Sequence, residues 1–149
     1  METNPPMNDE FHLDRFVRAQ NQVYKQVLAE LARGHKETHW IWFIFPQLKG
    51  LGSSPMAERY GIASQAEAVA YLQHPVLGPR LLESTELVNR VEGKSIDAIF
   101  GFPDNLKFRS SMTLFRHVAP EVAAFYDALT RFFQGEADPL TLILLSKHP

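Results

Sequence analysis

Cysteine is absent from this chain of 149 residues. Its absence excludes a disulfide framework, thiolate zinc sites, iron–sulfur clusters and a cysteine nucleophile. Disulfides are not needed at this length, because a domain of about 150 residues buries roughly 70% of the surface that its unfolded chain exposes. Hydrophobic residues make up 45% of the chain, which is typical of a globular domain rather than of a disordered protein.

Long apolar segments and runs of basic residues are absent as well. The longest strongly apolar stretch, Trp40 to Phe45, is far shorter than the about 20 residues that span a bilayer. The polar N-terminus, with Pro5 and Pro6, lacks the pattern of a signal peptide. Lysine and arginine number 15 and acidic residues 17, so the net charge is 15 − 17 = −2, which gives no overall attraction for nucleic acid. We therefore expect a cytoplasmic protein without membrane or nucleic-acid partners.

Apolar residues recur at three- and four-residue steps through most of the chain, which predicts an all-α fold. The first helix is predicted over residues 13–33 and ends at Gly34. The apolar run Trp40–Phe45 is compatible with a strand, but no other segment offers a partner strand, so we interpret it as a short helix. Further helix starts are predicted at Ser54-Pro55, Ser64, His74-Pro75, Ser95, Asp104, Pro120 and Asp138-Pro139.

The predicted architecture is one multihelical globular domain of about eight helices, several of them short, around a buried central helix. The most apolar segments, Trp40–Phe45 and Met112–Phe115, are the candidates for its centre. We expect the domain to cover residues 13–149 and a flexible tail to cover residues 1–12.

His35 and His39 are four residues apart and could share one helix face, as zinc-binding histidines do. The protease motif, however, places a glutamate directly after the first histidine, whereas here Glu37 stands midway between them. Gly34 and Thr38 also predict that the helix is broken here. We therefore interpret the segment as a solvated connection with one histidine turned inward, and we predict no metal site.

The segment Gly50-Leu51-Gly52-Ser53 precedes a helix start, where backbone N–H groups can bind an anion. It matches neither the P-loop nor the dinucleotide-binding motif. Two interpretations therefore stay open, a short turn before a hydroxyl cap and an anion site.

Lys107, Ser110 and Ser111 share one helix face. The order is the reverse of the Ser-x-x-Lys motif, so we do not predict a nucleophile–base pair. We expect the hydroxyls, with that of Thr113, to bond back to carbonyl groups one turn earlier. The segment could also present a polar patch to a ligand.

Two aromatic or titratable features complete the candidates. Trp40 and Trp42 cannot face the same side of a helix, so one is expected in the core while the other could line a pocket. His74 could be a general base, but without a visible partner it is better interpreted as a helix cap or a core residue.

Four linked motifs stand out along the chain: His39-Trp40-Ile41-Trp42-Phe43-Ile44-Phe45-Pro46-Gln47, Gly50-Leu51-Gly52-Ser53, His74-Pro75-Val76-Leu77-Gly78-Pro79-Arg80-Leu81 and Ser110-Ser111-Met112-Thr113-Leu114-Phe115. Together they resemble the signature of a widespread bacterial domain family of unknown function. The resemblance covers about residues 14–145, with Gly61 and Ile41 as small departures from the alanine and methionine expected there. It implies a compact multihelical domain and brings no activity, cofactor or catalytic residue. Some members are labelled calpastatin, but that inhibitor is long, repetitive and largely disordered, unlike this short aromatic chain.

Two functions fit these observations. The first is a domain that binds a small anionic or nucleotide-like ligand, with catalysis left open and no cofactor predicted. The second is a non-enzymatic interaction module that contacts another protein. For the first function, the candidate ligand-binding residues are His39, Trp42, Gln47, Gly50, Gly52, Ser53, Tyr60, His74, Lys107, Ser110 and Ser111.

Overall fold

Ten helices follow one another along residues 9–147, the part of the chain that this computed structural model describes. No strand occurs in these residues beyond one isolated bridge between Leu48 and Ile62. The predicted all-α class is confirmed, with ten helices in place of about eight. They are α1 (Asp14–Asn21), α2 (Tyr24–Arg33), α3 (Ile41–Ile44), α4 (Pro55–Tyr60), α5 (Gln65–Gln73), α6 (Leu77–Asn89), α7 (Ile96–Phe100), α8 (Asp104–Val118), α9 (Ala123–Phe133) and α10 (Pro139–Lys147).

The predicted flexible tail, residues 1–12, falls mostly outside the described residues. Of its last residues, Asp9 has a carboxylate that accepts a hydrogen bond of 2.7 Å from the N–H of Leu13. Phe11 packs against the hydrophobic core.

The helix predicted over residues 13–33 is divided into α1 and α2, so this prediction is wrong. The break falls at Gln22 and Val23, directly after Asn21, which favours a helix less than the residues before it. It lets both helices face the core, since α1 buries Phe16 and Gln20 while α2 buries Val27 and its neighbours on that stripe. The Gln20 amide donates to the carbonyl oxygen of Phe43 at 2.7 Å, a long-range contact that no local pattern encodes.

The predicted helix starts are largely confirmed by local hydrogen bonds. The hydroxyls of Ser54, Ser64 and Ser95 each accept an N–H three residues later, at 3.1 Å. Asp104 is an exception, because it is the first residue of α8 and makes no cap hydrogen bond. The helices expected from His74-Pro75 and from Pro120 begin instead at Leu77 and at Ala123.

Helix α8 lies at the centre of the domain and packs against α3, α5, α7, α9 and α10. The two segments predicted for the centre, Trp40–Phe45 and Met112–Phe115, are buried except for Trp42, which is half-buried. Four aromatic rings join α3 to α7 and α8. Their closest contacts are those of Phe108 with Phe100 and Phe45, whose ring centroids lie 4.8 and 4.9 Å away, while Trp40 packs edge-on against Phe100. This cluster fixes where α3 can present its remaining side chains.

A close approach of two helices makes Gly78 the most sterically restricted glycine. A Cβ atom there would lie 2.1 Å from the carbonyl oxygen of Leu72. We expect Gly78→Ala to destabilise the fold by about 3 kcal/mol, because α5 and α6 must separate, even though alanine favours a helix. Gly135→Ala is the matched control, since its Cβ would meet no atom within 4 Å and only the left-handed backbone opposes it. It should cost about 1 kcal/mol. Urea unfolding measures both, and equal losses would contradict the steric explanation.

Candidate functional site

The buried carboxylate of Glu30 fixes the connection between α2 and α3. One oxygen accepts the N–H groups of Glu37 and Thr38 and the indole N–H of Trp40, at 2.7, 3.1 and 2.9 Å. The other accepts the hydroxyl of Thr38 and the amide of Gln26, at 2.6 and 2.9 Å. Five donors on one fully buried side chain hold the connection, and with it the start of α3, in one conformation.

The same donors keep Glu30 ionised. Burial by itself raises the pKa of a carboxyl group, but here the hydrogen bonds from Thr38, Glu37 and Gln26 outweigh it and lower the pKa from 4.5 to about 2. The negative charge is therefore a permanent part of the structure at neutral pH.

The two tryptophans have different surroundings, as their spacing predicts. Trp40 is buried in the aromatic cluster and donates its indole N–H to Glu30. Trp42 is half-buried and lines a cavity on the other side of α3. Its indole nitrogen is shielded from solvent, yet it has no hydrogen-bond partner among residues 9–147. An unpaired buried donor of this kind costs free energy and calls for a functional explanation.

The cavity beside Trp42 is small and has polar groups in its walls. Its free space is about 10 Å³, enough for one water molecule. Gln47 contributes a side-chain amide and Tyr60 a hydroxyl to these walls, beside the unpaired indole N–H. The lining residues are Ile41, Trp42, Phe45, Gln47, Ala57, Tyr60, Gly61 and Lys107.

Two lysines and one aspartate lie at one side of this cavity. Lys36 is almost fully buried, and its ammonium group lies 2.8 Å from one carboxylate oxygen of Asp104. The ammonium group of Lys107 is 3.6 Å from the other oxygen and 5.4 Å from the centre of the Trp42 ring. Asp104 thus has its closer partner in Lys36, and Lys107 stands over the indole as the less neutralised cation.

The segment that carries Gln47 and Tyr60 is held by backbone pairing and by Arg15. Ile62 donates its N–H to the carbonyl of Gln47 at 2.9 Å. The Arg15 guanidinium donates to the carbonyl of Gly61 and to the carboxylate of Glu67, at 3.0 and 2.9 Å. A Cβ atom on Gly61 would lie 2.8 Å from the Cα atom of Lys49, so glycine permits the close approach at this position.

Four of the eleven predicted candidates, Trp42, Gln47, Tyr60 and Lys107, meet at this cavity. Gly52 lies next to it, since a Cβ atom there would be 3.6 Å from the Gln47 amide nitrogen.

The remaining candidates lie elsewhere. His39 and Ser53 are exposed, and Gly50 lines a separate groove between Leu48 and α10. The ring nitrogen Nδ1 of His74 accepts the N–H of Val76 and of Leu77 at the start of α6, so the cap interpretation of His74 is confirmed.

The hydroxyls of α8 divide into two groups. Ser110 donates to the carbonyl of Leu106 at 3.1 Å, and Thr113 donates to that of Arg109 at 2.8 Å, as predicted. The prediction is wrong for Ser111, whose buried hydroxyl has no partner in the described part of the chain. Ser111 lies one turn from Lys107 on the same helix.

His35 and His39 are both exposed, so the expectation that one of them turns inward is wrong. Within residues 9–147, no group of three or more histidine or acidic side chains is arranged to hold a metal ion. None of the helices in this range has the length and apolar character needed to cross a bilayer.

Lys36 and Asp104 are absent from the candidates predicted by the sequence. Lys36 stands in a polar connection, where a charged residue is ordinary, and Asp104 stands at a helix start, where an acidic residue is ordinary. Neither position therefore indicates a functional site in the sequence. Only the tertiary ion pair between them shows that they belong to the site.

The fold and the cavity define an all-helical globular domain with a small polar site between α3, α4 and α8. The chain belongs to the family described as "Protein of unknown function (DUF1810)", whose model matches residues 10–145. A solved structure, the conserved hypothetical protein Rv1873 from Mycobacterium tuberculosis, is 55% identical, with a TM-score of 0.92. The match covers 93% of this chain and 99% of that chain. A comparison with curated proteins gives no match.

The Glu30 carboxylate predicts a specific dependence of stability on pH. Because its pKa is lower in the folded state, the stability it contributes is fully present above about pH 4.5 and is lost as the pH falls towards about 2. Glu30→Gln cannot titrate, although its amide can donate to the Thr38 hydroxyl and to a flipped Gln26. We expect the stability advantage of the native chain over this variant to narrow by about 2 kcal/mol between pH 7 and about pH 3.

Urea unfolding of both proteins across that pH range measures the difference, in which the contributions of other carboxylates cancel. A constant difference would show that Glu30 is not held ionised by its donors.

Proposed function

We propose that this protein binds a small anionic molecule in the cavity beside Trp42. The observation that carries the proposal is the buried indole N–H of Trp42, which has no acceptor among residues 9–147. A buried donor without an acceptor costs about 1–3 kcal/mol. A ligand that supplies an acceptor atom removes this cost, which favours binding at this position.

The chemistry of the other walls selects the same type of ligand. The indole N–H and the Lys107 ammonium group are donors only, and the Gln47 amide and the Tyr60 hydroxyl can donate as well. An excess of donors beside a cation favours a ligand with negatively charged oxygen atoms.

The volume of the cavity limits how much of the ligand enters it. A free space of about 10 Å³ admits one oxygen atom, so the ligand would insert an end group and keep its remainder towards the surface, where Lys107 is partly exposed. A nucleotide, which the sequence suggested, would require the walls to move apart. The proposal therefore concerns binding of a small anionic end group and leaves catalysis aside.

A second candidate function, a protein-interaction module, is favoured by the surface of α10. Leu140, Leu142 and Ile143 are 61%, 43% and 49% exposed on this helix. Exposed apolar side chains this close together are typical of contact surfaces. Self-association in sedimentation experiments that disappears in Leu140→Lys would support this candidate.

The indole signals of a ¹⁵N-labelled sample test the binding proposal directly, because the chain has only two tryptophans. We expect sodium acetate to shift the Trp42 indole signal in a saturable way, with a dissociation constant in about the millimolar range for so small a ligand. Trp40 is an internal control, since its indole N–H is bound to Glu30.

Trp42→Phe assigns the two signals, and sodium chloride at equal ionic strength controls for salt. Equal shifts of both indoles would contradict a site at Trp42, as would the absence of any saturable shift with acetate and with a wider set of small acids and neutral molecules.

A further inference from the structure

We propose that the cavity selects singly charged carboxylates over doubly charged phosphates, and that Lys36 sets this preference by keeping Asp104 away from Lys107. This inference rests on the proposed binding function and specifies its ligand class. It assigns roles to two residues, Lys36 and Asp104, that do not line the cavity.

The first step is the unequal pairing of Asp104. Its carboxylate is 2.8 Å from the Lys36 ammonium group but 3.6 Å from that of Lys107. The Lys36 side chain is only 5% exposed, and its ammonium group is further fixed by a hydrogen bond of 2.6 Å to the carbonyl of Thr38. Asp104 is thus committed to a buried, immobilised partner.

The second step is the charge that remains. Two ammonium groups and one carboxylate leave a net charge of +1, and the geometry places it on Lys107 over the Trp42 ring. One negative charge on a ligand neutralises it. A second negative charge would face the Asp104 carboxylate without a cation to compensate it.

The third step is the shape of the site. A carboxylate has two oxygens in one plane. One of them can accept the indole N–H inside the cavity, while the other accepts from the Lys107 ammonium group towards the surface. A phosphate group carries three terminal oxygens around a tetrahedral centre, so it is bulkier than a planar carboxylate at the entrance to a space of about 10 Å³. Charge and size therefore favour the same class, a monocarboxylate.

Three small probes test the ligand class in the unmodified protein. Acetate and acetamide differ in charge at nearly the same size, while methyl phosphate differs from acetate in both charge and shape. We expect the dissociation constant measured from the Trp42 indole signal to be at least tenfold lower for acetate than for methyl phosphate at about pH 8, where the phosphate is doubly charged. Neutral acetamide should bind at least tenfold more weakly than acetate. Ionic strength is matched with sodium chloride in every titration.

Variants of the ion pair then test the role of Lys36. In Lys36→Met, Asp104 is free to neutralise Lys107, so acetate affinity should fall about tenfold. In Asp104→Asn, both lysines are unpaired, so acetate should bind at least as tightly as before and methyl phosphate about tenfold more tightly. In the double variant Lys36→Met/Asp104→Asn, Lys107 again stands alone, and acetate affinity should return to within about twofold of the original value.

Lys94→Met is the matched control for the loss of a positive charge. The Lys94 ammonium group is bonded to the carbonyls of Arg33 and Gly34, at the start of the same connection, and it makes no contact with Asp104. The acetate affinity of Lys94→Met should stay within about twofold of that of the unmodified protein. Thermal unfolding of every variant confirms that the titrations compare folded proteins.

The outcomes separate this inference from the proposed function. Binding of methyl phosphate or acetamide as tightly as acetate, with Trp42 as the responding signal, overturns the carboxylate preference and leaves a binding site standing. Undiminished acetate affinity in Lys36→Met, or failure of the double variant to recover, overturns the role of Lys36. No response of Trp42 to any of the three probes overturns the carboxylate preference, and no response to the wider set of small acids and neutral molecules overturns the proposed function as well.

Discussion

The structure of the site depends on the buried carboxylate of Glu30. A charge with no access to solvent is tolerated only when donors surround it, and here five hydrogen bonds do so. Three of the donors belong to the two residues that follow Lys36, and a fourth is the indole of Trp40. The carboxylate therefore holds the connection between α2 and α3 in one conformation. That connection determines where α3 begins and which side of the helix faces the core.

The position of α3 explains how two neighbouring tryptophans acquire different roles. Trp40 is buried in the core, where its indole N–H donates to Glu30 and its ring packs against the rings of Phe45 and Phe100. Trp42 lies on the opposite side and lines the cavity together with residues of α4 and α8, and its indole N–H has no partner among residues 9–147. The same connection holds Lys36 against Asp104, so one buried acid governs both the donor and the local charge of the proposed site.

Local chemistry in the sequence predicted much of the fold, and the failures have a common cause. The serine caps of α4, α5 and α7 need only residues three apart, so they could be predicted. The division between α1 and α2 has no comparable local signal, and the burial of Gln20 against distant Phe43 appears only in the tertiary structure. In the site, Trp42 and Lys107 belong to segments with unusual sequence patterns. Lys36 and Asp104 do not, because their ion pair joins segments far apart in the chain. The prediction of an inward histidine was wrong because the Glu30 carboxylate, not a histidine, accepts the backbone N–H groups of the connection between α2 and α3.

The dependence of the site on Glu30 is the central claim, and one titration tests it. Glu30→Ala removes the acceptor of the Trp40 indole N–H and of the N–H groups in the connection between α2 and α3, and it changes no residue that lines the cavity. The measurement is the acetate titration of the Trp42 indole signal in this variant, at a temperature where circular dichroism shows it to be folded. Our account predicts that the saturable response is lost or weakened at least tenfold, because α3 and Lys36 are no longer held in place. A response equal to that of the unmodified protein would show that the site forms independently of the buried carboxylate and would contradict the account.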